Sequence, residues 1–172
     1  MRYYRNPSAD KNKVIELLQQ LLANTYLLYI QTQGAHWNIT GNDFPQLHTL
    51  FQTQYTELQL AVDIIAEHIR TYGAPAPGSA FDFIKLATFK EATFISDLAY
   101  EGNVGSEFLL QTLVDQHNAT IEVATHLGEI TANAIHTQNL AADRIDAHEK
   151  AVWMLSTTLQ GSPVRRNPYW RY

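Results

Sequence analysis

The stretch DFPQLHTLFQTQYTELQLAVDIIAEHIRTY, residues 43 to 72, decides the fold because apolar side chains recur in it every three or four residues. Asp43 suits an N-cap, and Pro45 suits the first turn of a helix. The pattern predicts one long amphipathic helix that must bury one face against other helices. The apolar positions are Leu47, Leu50, Phe51, Tyr55, Leu58, Val62, Ile65, Ile69 and Tyr72.

Three other segments have the same helical spacing, and together with residues 43 to 72 they predict a bundle. They run from about Asp10 to near Gly41, from Ser106 into the 130s, and from about Thr137 to Gln160. Residues 73 to 104 hold only short patterns such as AFDFIKLATFKEA, which predict a long connection containing a brief helix. The predicted fold class is therefore all-α, a four-helix bundle with a long crossover between helices two and three, as in the ferritin-like arrangement.

Length and composition narrow the class of protein. The 172 residues predict a single domain, 1–172, with an N-terminal tail at 1–10 and a C-terminal tail at 162–172. No apolar run suits a membrane span or a signal peptide, so a cytoplasmic protein is expected. With no cysteine, any metal must be held by His, Asp, Glu, carbonyl groups or water. The surplus of glutamine in the first two helices predicts solvated surface.

Four side chains are candidate metal ligands. His36 and His48 stand on either side of a break rich in Gly, Asn and Pro, and Asp63 and Glu67 follow on the second helix. Because they are four residues apart, the two acids share one helix face and can offer oxygen to one cation. Taken alone, such a pair of acids is more often ordinary exposed surface.

One chain does not close this site along one straight helix. At a rise of 1.5 Å per residue, His48 and Asp63 lie about 22 Å apart. No Glu-x-x-His motif is present, which disfavours a di-iron site inside the subunit. Two copies of the second helix, laid antiparallel across a two-fold axis near residue 56, would bring His48 of one subunit to Asp63 and Glu67 of the other. His36 lies at the same end of the bundle as His48, so the geometry predicts two shared sites per dimer.

These residues carry a family resemblance. The stretch HWNITGNDFPQLHTLF, followed by VDIIAEHI and YGAPAPGS, resembles the Dps family (DNA-binding protein from starved cells), also called mini-ferritins. The resemblance implies a hollow homododecamer that takes up Fe(II), oxidises it preferentially with hydrogen peroxide, and stores ferric mineral. It implies that this ferroxidase chemistry occurs at sites across two-fold interfaces, with His36, His48, Asp63 and Glu67 as ligands.

Three points depart from that pattern or stay open. Where family members commonly have a carboxylate four residues after the second histidine, this chain has Gln52, so the second iron is expected to bind weakly. Zinc suits the same ligands almost as well as iron does and is an expected competitor. Trp37, next to His36, is either an electron donor that quenches radicals or simply a packing residue.

DNA binding is the main alternative function. The terminal tails carry arginines interleaved with tyrosine and tryptophan, which can stack on bases. A net charge of -5 and few tail lysines favour packing of the tails on neighbouring subunits instead. DNA compaction, with a vestigial metal site, therefore stands second to iron storage, and a zinc-binding bundle stands third. His117, His126 and His148 share no helical turn and are left out of the site.

Overall fold

The computed structural model describes residues 10–92 and 106–161, and five α-helices account for most of them. The helices are α1 (Lys11–Asn38), α2 (Phe44–Thr71), α3 (Ala80–Leu86), α4 (Ser106–Ile130) and α5 (Ile135–Gly161). The predicted all-α bundle with a short crossover helix is confirmed, although α5 begins two residues before Thr137. The C-terminal tail, and all of the N-terminal tail except Asp10, lie outside the described residues. None of the helices in the described part of the chain is both long and apolar enough to cross a membrane.

The turn between α1 and α2 brings the two predicted histidine ligands to one end of the bundle. Gly41 has a φ of 98°, in the left-handed region that favours glycine. Backbone hydrogen bonds close the turn, with the Phe44 N–H donating to the Gly41 carbonyl at 3.2 Å and the Leu47 N–H to the Asp43 carbonyl at 3.0 Å. Asp43 precedes the helix as predicted, but its side chain makes no capping hydrogen bond.

The core consists of two apolar clusters stacked along the bundle. Near the α1–α2 turn, one cluster joins the end of α1 and the start of α2 to Leu109 and Leu110, at the start of α4. The other joins the start of α1 and the end of α2 to Ala124 and Leu127, near the end of α4. Consequently α2 and α4 run in the same direction, which is why a crossover as long as the bundle must connect them.

Polar side chains are buried about halfway along the bundle, close to where the two clusters meet. All of them are at most 8% exposed, and they come from all four long helices: Gln31, Gln54, Gln116, His117 and His148. The expectation that the glutamines of the first two helices are solvated surface is therefore wrong for Gln31 and Gln54. Each amide is flanked by apolar helix positions, and the sequence pattern does not distinguish such a buried amide from a surface one.

Two buried amides of α1 hold the crossover against the bundle. Asn24 donates to the Thr88 hydroxyl at 2.8 Å and accepts from the Thr88 backbone N–H at 2.9 Å. Two helical turns further on, Gln31 donates to the Ala92 carbonyl at 3.2 Å and accepts from the Ala92 N–H at 3.0 Å. Both amides thus satisfy backbone groups of the irregular segment that follows α3.

Gln31→Ala should destabilise the subunit by about 1–3 kcal/mol, because it leaves the polar groups of Ala92 without their side-chain partner. Denaturant unfolding at a fixed protein concentration measures the change. Gln52→Ala is the matched control, since this glutamine is exposed on α2 and its loss should cost little. Equal effects of the two substitutions would contradict the role given to Gln31.

Candidate metal centre

His36, in the last turn of α1, and His48, in the second turn of α2, form a stacked pair. Their ring centroids lie 3.7 Å apart, and the ring planes differ by 18°. His36 Nδ1 is 2.8 Å from the His48 carbonyl oxygen, and His48 Nδ1 is 2.9 Å from the His36 carbonyl oxygen. Each imidazole is therefore held by the backbone of the other residue, and the two helix ends are joined at this point.

These two hydrogen bonds determine which ring nitrogens are available to a metal. A carbonyl oxygen only accepts, so Nδ1 of each ring must carry the proton and donate it. In a neutral imidazole the remaining nitrogen, Nε2, then carries a lone pair. A backbone carbonyl that fixes the tautomer in this way is the usual second-shell partner of a histidine metal ligand. The pair thus offers two Nε2 ligands on rings that are already oriented.

The two predicted acidic ligands lie elsewhere on α2. Asp63 and Glu67 are both exposed in the single subunit. Along the helix axis they lie about 22 and 28 Å from His48. Two large apolar side chains lie beside them in the sequence and are also exposed, Leu60 by 66% and Ile64 by 55%. An exposed face of this kind, with acids and aliphatic side chains together, is typical of a surface that a partner covers.

The subunit therefore brings together half of the predicted ligand set. His36 and His48 are in contact, whereas Asp63 and Glu67 are remote from them. Within residues 10–92 and 106–161, no group of three or more His, Asp or Glu side chains lies close enough to hold one metal ion. The assignment of Asp63 and Glu67 to the same site stays a prediction about two subunits.

A second histidine pair, which sequence reasoning missed, lies inside the bundle. His117 on α4 and His148 on α5 are buried, and their Nδ1 atoms are 2.8 Å apart, so one ring donates to the other. Burial lowers the pKa of His117 to about 3. Burial, His117 and Arg144 together lower the pKa of His148 well below its ordinary value. Both rings stay neutral, and the only sequence signal was that each lies on the apolar stripe of its helix.

His68, one residue after Glu67, belongs to the structural contacts between α2 and α5. It is half-buried, and its Nε2 lies 2.9 Å from the Thr137 hydroxyl, which is also 2.6 Å from the hydroxyl of Tyr72. Burial, with a smaller effect of His136, lowers the pKa of His68. These contacts give His68 a structural role.

Two residues that modify the predicted site lie on the outside of the subunit. The Gln52 side chain is exposed one helical turn after His48. The Trp37 side chain is 68% exposed, so it contributes little to the packing of the single subunit. Both positions are open to a neighbouring subunit or to solvent.

Comparison with known proteins gives concordant matches. The family model for the ferritin-like domain matches residues 15–162. An uncharacterized low temperature-induced protein of Nostoc sp. is 33% identical, over 92% of this chain and 86% of its own length. The DNA protection during starvation protein of Brevibacillus brevis is 31% identical, over 86% of this chain and 95% of its own length. The crystal structure of a Dps protein from Vibrio cholerae, a member of the ferritin-like diiron-carboxylate proteins, superposes with a TM-score of 0.78 at 32% identity and covers 92% of this chain and 98% of that one.

Proposed function

This chain belongs to the ferritin-like domain family and, within it, to the Dps proteins, and on that premise we propose that it is an iron-storing ferroxidase. It oxidises Fe(II) to Fe(III), preferably with hydrogen peroxide, and stores the ferric mineral in a hollow dodecamer. The substrate ion is bound by His36 and His48 of one subunit and by Asp63 and Glu67 of another. The cytoplasmic location expected from the sequence stays a prediction.

The reciprocal hydrogen bonding of His36 and His48 is the observation that carries this proposal. It fixes both Nδ1–H groups on backbone carbonyls and so reserves both Nε2 lone pairs for a cation. Two imidazoles alone give a weak, uncharged site. Addition of the partner's two carboxylates would supply negative charge and hard oxygen ligands, a set that suits Fe(II) and leaves positions open for an oxidant.

Reduction of the peroxide consumes electrons and protons in a fixed ratio. One hydrogen peroxide accepts two electrons and two protons and gives two water molecules, while two Fe(II) ions each lose one electron. When both electrons are delivered together, no hydroxyl radical is released. This coupling is what would protect the cell from iron and peroxide at the same time.

The exposed face of α2 supports the proposed assembly. Leu60 and Ile64 would be covered when two α2 helices pack antiparallel, and the same contact would place each subunit's acids beside the other's histidine pair. A two-fold contact buries the same patch on both subunits, so one helix face serves both sites. Zinc would compete for these ligands, since imidazole and carboxylate suit it almost as well.

A DNA-protecting assembly is the second candidate, and it is favoured by the similarity to the DNA protection during starvation protein of Brevibacillus brevis. The tail residues that would contact DNA lie outside the described residues. Anaerobic Fe(II) titration followed by addition of peroxide separates the two functions. Rapid oxidation without hydroxyl radical supports the ferroxidase, whereas a DNA mobility shift without any oxidation would support the DNA-binding assembly. Zinc binding that iron fails to displace would favour a zinc-binding bundle.

Gln52→Asp should strengthen binding of the second iron at each site. The substitution adds a carboxylate one helical turn after His48, where a neutral amide offers no charge to a cation. Calorimetric titration of the wild-type protein with Fe(II) should give one tight and one weak metal per site, and the variant should give two tight ones. Asn118→Asp, at an exposed position of α4, is the control and should leave the titration unchanged. Two equally tight metals in the wild type would contradict this role of Gln52.

A further inference from the structure

An uninterrupted series of aromatic ring contacts leads from the histidine pair along the subunit. His36 and Tyr55 have ring centroids 5.3 Å apart at an interplanar angle of 76°. Tyr55 contacts Tyr29 edge-on at 6.3 Å, and Tyr29 contacts Tyr26 edge-on at 6.0 Å. Rings at these separations touch at their edges. Tyr55, Tyr29 and Tyr26, here called the tyrosine chain, thus continue directly from a predicted iron ligand.

Both ends of this series are phenylalanines. Phe44 lies 4.9 Å from His48, and Phe83 of α3 stacks on Tyr26 at 4.2 Å. A phenol can lose an electron and its proton to give a stable radical, whereas a benzene ring is much harder to oxidise. Within residues 10–92 and 106–161, the oxidisable rings of this series therefore extend from the histidine pair to Tyr26.

The surroundings of the three phenols suit reversible oxidation. Tyr26, Tyr29 and Tyr55 are all half-buried. Tyr26 and Tyr29 pack against the apolar core, and Tyr55 packs between Tyr29 and His36, which limits the access of external reactants to a radical. The partial exposure of all three gives the phenolic proton a route to solvent. Trp37, the electron donor considered from the sequence, is by contrast 68% exposed.

An electron donor beside the site is needed because Gln52 leaves the second iron weakly bound. This step rests on the proposed function. A site with one tightly held Fe(II) supplies a single electron, but hydrogen peroxide must receive two if no hydroxyl radical is to escape. The missing electron must come from a group in contact with the site. Tyr55 is the oxidisable side chain that contacts His36 within the described residues.

We propose that the tyrosine chain supplies the second electron to peroxide at each iron site. Fe(II), the Tyr55 phenol, hydrogen peroxide and two protons give Fe(III), a tyrosyl radical and two water molecules. The phenolic proton of Tyr55 passes to solvent, so the step consumes one proton net. The radical moves to Tyr29 and Tyr26 by electron transfer between touching rings. A later Fe(II), together with a proton, reduces it back to the phenol, so two Fe(II) ions are oxidised for each peroxide.

In the proposed dimer, the tyrosine chain of each subunit begins close to the two-fold axis. The antiparallel pairing of two α2 helices places the axis near residue 56, so the Tyr55 residues of both subunits lie close to it. An electron from the Fe(II) of either site can then enter the same region of the dimer. Two sites with one tight iron each thereby act together as a two-electron donor.

Freeze-quenched electron paramagnetic resonance tests the proposal. Full-length wild-type protein loaded with Fe(II) is mixed with hydrogen peroxide, and the tyrosyl signal and the yield of spin-trapped hydroxyl radical are measured. Tyr55→Phe should lose most of the tyrosyl signal and release more hydroxyl radical. Tyr29→Phe should retain a signal from Tyr55 but shorten its lifetime. Tyr72→Phe is the matched control, because Tyr72 contacts Thr137 instead of this chain, and it should behave as the wild type does.

The outcomes separate this proposal from the proposed function. If wild-type protein does not oxidise Fe(II) with peroxide, the ferroxidase assignment fails. If it does, but Tyr55→Phe matches the wild type in both tyrosyl signal and hydroxyl radical, the tyrosine chain is overturned and the ferroxidase stands. Circular dichroism and particle size verify that each variant is folded and assembled, since exchange of a phenol for a benzene ring removes one oxygen atom only.

Discussion

Subunits carrying His48→Ala, co-assembled in equal amounts with subunits carrying Asp63→Ala, should recover about a quarter of the fast iron-oxidation sites of the wild type. Each variant assembled alone should recover none. The reason is the distance along α2, since His48 and Asp63 of one subunit lie about 22 Å apart and do not share an ion. The intact histidines of one subunit form a complete site only with the intact acids of another subunit.

The expected fraction follows from counting the combinations. Random pairing makes half of the dimers mixed, and each mixed dimer has one site with both mutations and one with neither. Because half of the dimers are mixed and each of these has one intact site out of two, about a quarter of all sites are intact. Affinity tags on the two variants allow mixed particles to be purified, and stopped-flow absorbance of Fe(III) formation counts the fast sites.

A second mixture controls for a general effect of assembly. Subunits with His36→Ala mixed with subunits with His48→Ala should recover nothing, because both substitutions damage the same half of the site. If this control mixture recovered fast iron-oxidation sites, or if the first mixture recovered none, the proposed distribution of the four ligands between two subunits would be wrong. Particle size by light scattering establishes that all mixtures assemble equally.

The helices could be predicted from the sequence because their apolar stripes are long and regular. In α2 the positions from Leu47 to Ile69 that were assigned to the core include Phe51, Leu58 and Ile65, which are fully buried. The ends were less well determined. The start of α5 was predicted two residues late. The side chain of Asp43 does not cap α2, and the backbone of Asp43, with φ -91° and ψ 6°, lies outside the extended conformation typical of an N-cap residue.

The contact between His36 and His48 was predictable from the sequence, whereas the surroundings of this pair were not. His36 and His48 flank a short turn, so a local pattern indicates that they are neighbours, and their rings are indeed stacked. The tyrosine chain joins α1 to α2 through contacts between residues far apart in the sequence, such as Tyr29 and Tyr55. Periodicity identifies which side of a helix is buried but not which residue of another helix it meets. His117 and His148 were missed for the same reason.

The His117–His148 pair leads to the second large expected effect, a loss of stability in mild acid. In the unfolded chain both imidazoles bind protons as the pH falls below about 6.5. In the folded subunit burial holds the pKa of His117 at about 3 and that of His148 well below its ordinary value. The stability that the neutral pair provides is therefore complete above pH 6.5 and is lost as the pH falls from there towards 3.

The geometry of the pair explains why protonation is resisted. The 2.8 Å contact between the two Nδ1 atoms needs one ring to donate and the other to accept. Protonation of the accepting nitrogen would oppose two N–H groups, and it would add positive charge close to Arg144, whose guanidinium already pairs with Glu57 at 2.7 Å. No acidic side chain is among the groups that shift either pKa. Within the described residues, burial opposes the charged pair and no acidic group offsets it, so acid favours unfolding.

Replacement of both histidines by leucine should remove this sensitivity. Each buried neutral histidine costs up to about 1.4 kcal/mol per pH unit below 6.5, so the stability of the double variant relative to the wild type should rise by roughly 4 kcal/mol per subunit between pH 7.5 and pH 5. Denaturant unfolding at equal protein concentrations measures this difference in stability. The contribution of the carboxylates is the same in both proteins, so it drops out of the comparison. His126→Leu, an exposed position on α4, is the control and should leave the pH dependence as it is in the wild type. Parallel stability curves for wild type and double variant would mean that the buried pair accepts a proton without strain, contrary to the packing around it.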